Sequence, residues 1–541
     1  MTGDPDDPAG GLPPDDAQGR DGGGETDDVA GDFAADDPLY DRDEEAVGVV
    51  DFADAREKIA ARVVAGGKPA GAVPPPKDPP ARTVLGFDPE AFNKRYAVVI
   101  VGGRTMILDE VQTVHDKAFY ERHAWQDRIR YLSVDAFEKF HANRLLYDGE
   151  KDRMVAETRL WLAAVQRRTY EGVMFEPDGV PDGYYNLYQG FSVAPSTDGS
   201  WDLLKEHMLL NVCGENTDLY DRLFAWFAAI VQDPGRKIEV AMAIRGKQGC
   251  GKTLVGRIFG YLLGPHWRLV DNPRYVTGQF NAHMAQLLLL QADEGFWAGS
   301  KEAEGHLKGL ISSDVQFIEP KGIDAIPVSN HMRLLVTSNE DWVVPAAMEE
   351  RRWIVLDCGD GRLQDAAFFQ DMMAEMQAGG YARLLHDLLE FDLSSVNLRD
   401  IPQTAGLLEQ KIRSLSPEVA WWYECLWKGA VTGEEWKDVI ESGDVEAAYV
   451  GFCERRKYKS TRAFSHLVKY VLERYVPGLG RTRLTRAAGD GVGTRPRAFV
   501  FPDLEACRQA FSDLAGGGVD WEGSVPYVPE EQLKRRPRDG D

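Results

Sequence analysis

The chain has 541 residues, 43% of them hydrophobic, and a formal net charge of −25 at pH 7, which allows three or four folded domains and makes a folded enzyme the default class. No run of about eighteen apolar residues and no basic, then apolar leader occurs, which argues against a membrane span or an exported chain and leads us to expect a soluble, cytoplasmic protein. The acidity does not exclude nucleic acid, because Met1 to Val50 holds 16 acidic and 2 basic residues and so carries more than half of the net charge.

Residues 1–82 are rich in Gly, Pro and Asp and poor in large apolar side chains. Such a segment cannot bury enough surface to offset the entropy of ordering, and predicts a disordered acidic tail and linker. Within it, VDFADAREKIAARVV from Val50 has the pattern of a short amphipathic helix, and PPPKDPP from Pro74 ends it. Residues 83–200 are expected to form an accessory α/β module. YAVVIVGG (Tyr96 to Gly103) is a buried strand reaching a glycine turn, followed by TMILDE and a helix-rich region through Arg168, then the Gly- and Tyr-rich stretch GVPDGYYNLYQGF. Helices from Trp201 to Gln232 lead into residues 201–400. There strands and helices alternate from about Lys237 to Asp357, and near-continuous apolar strands such as LLLLQA (Leu287 to Ala292) predict a parallel sheet covered on both faces. The six cysteines are widely spaced, with no CxxC pair, and read as reduced thiols and not as zinc ligands.

IEVAMAIR (Ile238 to Arg245), GKQGCGKT and LVGRIFGYLLG (Leu254 to Gly264) have the order strand, glycine-rich loop, helix. Gly246, Gly249 and Gly251 let the backbone turn its N–H groups toward phosphates, and the helix N-terminus adds positive potential. Lys247, Gln248, Cys250 and Leu254 complete the expected ATP cradle, Lys252 reaches the β- and γ-phosphates, and Thr253 ligates Mg²⁺. LLLLQADE then ends in Asp293, the second metal-side group, and Glu294, the catalytic base. MRLLVTSN presents Asn339 as a γ-phosphate sensor, and EERRWIVLD presents Arg351 and Arg352, one of which fits an arginine finger.

The loop, DE, a basic segment, TSN and RR in this order resemble the superfamily 3 helicases, closest to the phage and plasmid primase-helicase branch. The wording YYNLYQGF, TGQFNAH, DEGFWAG, LKGLIS, EPKG and TSNEDWVVPAAMEERRW is similar to the helicase portion of phage primase-polymerases, over about Phe92 to Cys358. The resemblance implies an AAA+-like ATPase core, a homo-hexameric ring with ATP between subunits and single-stranded or forked DNA in the channel. It also implies a role in phage or plasmid DNA replication, in the host bacterial cytoplasm if phage-encoded. It gives Lys321 the role of the DNA-gripping hairpin lysine, with Lys308 and His331 as lesser additions. Neither Asn281 nor His283 of TGQFNAH receives a role. No carboxylate pair of primase-polymerase type is found, so primer synthesis is expected to belong to a separate primase or polymerase.

Residues 401–541 change character. Arg455 to Phe501 holds twelve Lys and Arg against Glu473 and Asp490. SHLVKYVLERY is an amphipathic helix, PGLG a turn, and RTRLTR to RPRAFVF an Arg-rich two-stranded wing. A winged-helix-like domain would place Lys469 on a recognition helix and Arg481, Arg483, Arg486, Arg495 and Arg497 against phosphates. The competing reading is a P-loop ATPase switch, in defence or assembly, whose partner is a protein.

Overall fold

A computed structural model of the chain describes residues 86–110, 129–149, 151–272, 274–278, 281–293, 301–319, 325–458, 463–484 and 495–522. The acidic tail, the segment from Val50 and PPPKDPP lie outside these residues.

The first described segment is built around one hairpin. Tyr96–Val101 pairs antiparallel with Arg104–Glu110, and the two-residue loop is Gly102-Gly103, both at positive φ (+54° and +73°), as a tight twisted hairpin turn requires. Ile129–Ser133 and Thr169–Tyr170 complete a four-stranded sheet. Among the described residues of the region expected to be helix-rich there are two seven-residue helices, Val134–Phe140 and Glu157–Ala163. Between them Leu145–Asp148 and Arg153–Ala156 form a second hairpin, because the polar, turn-forming sequence DGEKD cannot extend either helix. Phe92, Tyr96, Phe137 and Trp161 pack together beneath the first sheet.

The central sheet holds β1 (Ala241–Arg245), β2 (Trp267–Val270), β3 (Leu289–Asp293), β4 (Arg333–Ser338) and β5 (Trp353–Asp357). All neighbours run parallel, in the order β2-β3-β4-β1-β5. Its middle strands are apolar on both faces and buried on both, with every residue of β4 and four of five in β1 and β3 inaccessible, as a sheet sandwiched between helices demands. The helix α1 (Thr217–Gln232) starts at an Asn216 cap. It is buried continuously from Leu223 to Val231, so its almost wholly apolar second half has no water-facing stripe to present. Phe175 and, partly, Leu187, Tyr188 and Phe191 belong to the same core, so chain before residue 200 packs with the sheet.

Arg333 at the start of β4 is 3% exposed. Its guanidinium donates to the carbonyls of Pro234 (2.7 Å), His331 (2.6 Å) and Asp233 (2.9 Å), closing the carbonyl-rich exit from α1. The hairpin Val315–Ile318 with Ile326–Ser329 rises between β3 and β4 in sequence, and its tip lies outside the described residues.

After Leu407 the chain enters a second core, centred on Trp421, Trp422, Tyr423, Tyr449, Phe499 and Phe511. Three antiparallel strands, Val439–Glu441, Arg497–Val500 and Gly480–Arg483 in that order, pack with the helical run Phe464–Tyr475, whose middle is a π-turn. Among the described residues no helix is long and apolar enough to cross a membrane.

Candidate functional site

In a parallel sheet all strands end on one edge, so the polar residues that follow their apolar runs collect there. β1 delivers the glycine loop, β3 delivers Asp293 and β4 delivers Ser338 and Asn339. The loop runs straight into α2 (Lys252–Leu263). Gly251 caps α2 with φ +90°, and a Cβ there would lie 2.6 Å from the Phe369 ring and 2.7 Å from His207 Nε2. Both the backbone sign and the crowding require glycine. At Gly246 a Cβ would meet the Cys358 carbonyl at 2.6 Å, so the loop is pressed against the residue after β5 (Trp353–Asp357).

Lys252 is 5% exposed. Its ammonium donates to the carbonyls of Gly246 and Lys247 and to Asn339 Oδ1, each at 2.8 Å. The lysine and the Asn339 amide, assigned separate phosphate-side roles from sequence, are therefore in direct contact. Thr253 Oγ1 donates to Asp293, 3.1 Å from Oδ1 and 3.2 Å from Oδ2, and Thr337 Oγ1 donates to Asp293 Oδ1 at 2.6 Å. A hydroxyl and a carboxylate side by side form a hard, all-oxygen donor pair that suits Mg²⁺ completed by phosphate and water. Among the described residues there is no group of three or more His, Cys, Asp or Glu that would hold a metal by itself. The cleft, about 310 Å³, is lined by Gln248, Gly249, Lys252, Thr253, Leu254 and Asn339, together with Arg257 and Phe369.

Several residues of this site carry no motif. Gln291, the one polar residue inside the apolar run of β3, is fully buried and donates to the Thr253 carbonyl at 3.0 Å, fixing the first turn of α2. An isolated Gln in such a strand was the available signal. His207 and Asn211 sit on the π-turn His207–Val212 beneath the loop. Asn211 lies 3.5 Å from the Cys250 carbonyl, and its own carbonyl accepts from Gly359 N at 2.7 Å. Burial lowers the His207 pKa to about 4, so the ring is neutral near pH 7. Cys250 and Cys358 share a hydrogen bond under the loop. That bond, with the Lys252 ammonium, pulls the Cys250 thiol down, while the bond and burial push Cys358 up.

Arg351 and Arg352 precede β5, at the opposite edge of the sheet from the cleft. Five residues at about 3.3 Å each separate the two edges by roughly 17 Å. The pair also differs in environment. Arg352 is half-buried, with Nε donating to Ser312 Oγ at 3.1 Å and NH1 3.8 Å from Glu350. Arg351 is exposed.

The remaining candidates divide. Glu294, Lys321 and Arg486 lie outside the described residues. Lys308 pairs with Glu304 at 2.5 Å on its own helix. His331 is turned inward, bonded to the Gly235 carbonyl at 2.8 Å and to Glu176 at 3.0 Å. Asn281 grips the rising hairpin, donating to the Phe317 carbonyl and accepting from Glu319 N, both at 2.8 Å. His283 meets the Tyr275 carbonyl at 2.8 Å. In the C-terminal domain Lys469, Arg481, Arg483 and Arg497 line a groove of about 750 Å³ together with Glu473. Arg481 pairs with Glu473, and the Lys469 ammonium lies 5.3 Å from the Tyr470 ring centre. Arg483 and Arg497 stand directly opposite each other across the strand pair, and both are exposed, as is Arg495. Like charges in register are unfavourable unless an anion sits between them.

A model described as a family of unknown function, DUF5906, matches residues 244–352, the stretch from the glycine loop to the arginine pair. A DNA primase-polymerase of Nitratiruptor phage NrS-1 is 21% identical over 306 residues, which are 52% of this chain and 42% of that protein. The chain thus spans less than half the length of this relative. Two apo structures of the NrS-1 C-terminal region superpose with TM-scores of 0.53 and 0.52 at 16% identity. Each covers 78% of this chain and all of the other, a likeness of fold.

Proposed function

We propose that this protein is a P-loop ATPase of the superfamily 3 type, a DNA translocase or helicase that works in phage or plasmid DNA replication. One observation carries the reading. Lys252, the Thr253–Asp293 pair and Asn339 converge on one edge of a parallel sheet, while the arginine pair stands at the other edge, out of reach of its own cleft.

The roles follow from that layout. Backbone N–H groups of residues 246–254 and the N-terminus of α2 hold the phosphates. Lys252 leaves its loop carbonyls for the β- and γ-oxygens, and Asn339 keeps contact with the γ-phosphate or the attacking water. Thr253 and Asp293 hold Mg²⁺, which neutralises charge developing on the transferred phosphoryl group. Glu294, next in sequence to Asp293, takes the proton of the water. An arginine about 17 Å away across the sheet serves a neighbouring subunit's cleft, which requires a ring, taken here as a homo-hexamer. Between the two candidates, exposed Arg351 is the finger and anchored Arg352 holds the strand start. DNA contacts fall to Lys321, which lies in sequence between the two strands of the hairpin that Asn281 braces, and to the basic groove of the C-terminal domain, read as a winged helix. Its opposed Arg483 and Arg497 are matched by a phosphate between them.

The test is phosphate release by the purified chain and by Lys252→Ala, with and without single-stranded DNA, beside unwinding of a forked duplex. Lys252-dependent turnover that DNA stimulates, with strand separation, is expected. DNA-indifferent turnover without unwinding would replace the motor by a nucleotide switch acting on a protein partner.

A further inference from the structure

The phosphate end of the cleft is accounted for by the loop, Lys252 and Asn339, but its other end is not. Beyond Thr253 the cleft is walled by Leu254 and Arg257 on α2 and by Phe369. None of the described lining residues is Asp or Glu. Phe369 comes from α3 (Ala366–Glu375), which starts at an Asp365 cap whose carboxylate accepts from Phe368 N. Successive helix positions point about 100° apart. Phe368 is accordingly buried, with the Arg362 guanidinium 4.0 Å from its ring centre, while Phe369 is half-exposed into the cleft. The Phe369 ring is not free to swing. It rests on Gly251, where a Cβ would touch it at 2.6 Å, and the neutral His207 ring meets it edge-on, 5.4 Å between centres at 88°. The result is a pre-set aromatic surface beside Gly251, with the exposed Arg257 guanidinium one helical turn on from Thr253.

Resting on the P-loop reading above, we propose that Phe369 and Arg257 form the seat for the nucleobase, and that this seat selects by ring area and not by base edge. The heterocycle stacks on Phe369, and the Arg257 guanidinium lies against its other face, a contact with the ring and not with a base edge. With no carboxylate among the described lining residues to receive the adenine amino group or the guanine N1 and N2 hydrogens, the site separates purines from pyrimidines and hardly separates the two purines. Base–aromatic stacking contributes about 1–3 kcal/mol, or roughly five- to 150-fold in affinity.

The experiment uses the full chain with Mg²⁺ and measures KM and kcat for ATP, GTP, CTP and UTP in the wild type, Phe369→Ala, Phe369→Tyr and Arg257→Ala. Competition by inorganic tripolyphosphate is measured on the same proteins. Expected are ATP and GTP KM values within about threefold and pyrimidine values about tenfold higher. Phe369→Ala raises both purine KM values about tenfold with kcat nearly kept, while Phe369→Tyr retains wild-type values and Arg257→Ala gives a smaller rise. Tripolyphosphate has no base, so its inhibition constant stays unchanged in every variant. Equal KM for CTP and ATP in the wild type overturns the seat. So does a Phe369→Ala defect that tripolyphosphate shares, since the ring would then only support the loop. If the wild type binds neither nucleotide nor tripolyphosphate by calorimetry, the P-loop reading itself fails, a signature distinct from either.

Discussion

Lys252→Ala has two consequences that the geometry separates. The ammonium is nearly inaccessible and satisfies three oxygens at 2.8 Å, so it pegs the loop even without nucleotide. Hydrogen bonds to a charged donor each contribute about 1.5–3 kcal/mol. Two of the three acceptors are loop carbonyls beside the cleft and rehydrate once the lysine is gone, so a net loss of about 2–3 kcal/mol is the fair figure. At about 2–4 °C per kcal/mol for a domain of this core's size, the melting temperature falls by roughly 5–10 °C. The second consequence is linkage. A ligand at a hundred times its Kd stabilises the wild type by about 2.7 kcal/mol, and the variant loses that increment with its phosphate contact. Thermal melts with and without MgATP, alongside phosphate release, read both. A variant that melts with the wild type, or that keeps both its nucleotide-induced shift and its turnover, would refute the assignment of Lys252 as peg and phosphate ligand together.

Arg351→Ala is expected to lower ATP turnover about a thousandfold or more, in the range of arginine-finger losses, with an unchanged melt. Arg352→Ala is expected to lower the melt through loss of Ser312 and Glu350. Mixing Arg351→Ala with Lys252→Ala subunits regenerates intact interfaces and should recover activity that neither has alone; no recovery would place the finger elsewhere. The His207 pKa of about 4 lies below the ordinary imidazole value of 6.5 because the ring is buried, so the fold favours the neutral ring. That contribution is complete above pH 6.5 and is lost as pH falls toward 4, by up to about 3 kcal/mol. Denaturant titrations across that window should steepen in the wild type and flatten in His207→Phe, and parallel pH profiles would contradict the shift. Replacing Arg483, Arg495 and Arg497 together with Gln is expected to reduce the slope of log affinity for single-stranded DNA against log salt by about 1.4, since Arg483 and Arg497 share one phosphate and each phosphate contributes roughly 0.7. An unchanged slope would remove the groove from the DNA path.

The acidic composition of residues 1–82 and the basic run near the C-terminus were legible as composition. The placement of Glu294, Lys321 and Arg486 was legible only as order along the chain. Among the described residues after Glu110, the stretch 145–156 forms a hairpin inside the region expected to be helix-rich, because local apolar pattern does not distinguish a short buried helix from a hairpin strand until neighbours are present. The opposed arginines 483 and 497 became visible only through strand register, which a one-residue slip would have changed.

By itself the sequence determined the strand, loop and helix around Lys252, because glycine spacing, apolar runs and terminal polar residues are local signals of backbone sign and burial. It likewise determined that the core sheet is parallel, since strands apolar on both faces need cover on both. What only the tertiary structure decided are contacts between residues far apart in the chain. Lys252 meets Asn339, Gln291 props Thr253, His207 and Phe369 close over Gly251, and the arginine pair stands a full strand length from its own cleft. None of these has a local signature, because each depends on which strands become neighbours and in what register, and that is settled by packing of the whole core.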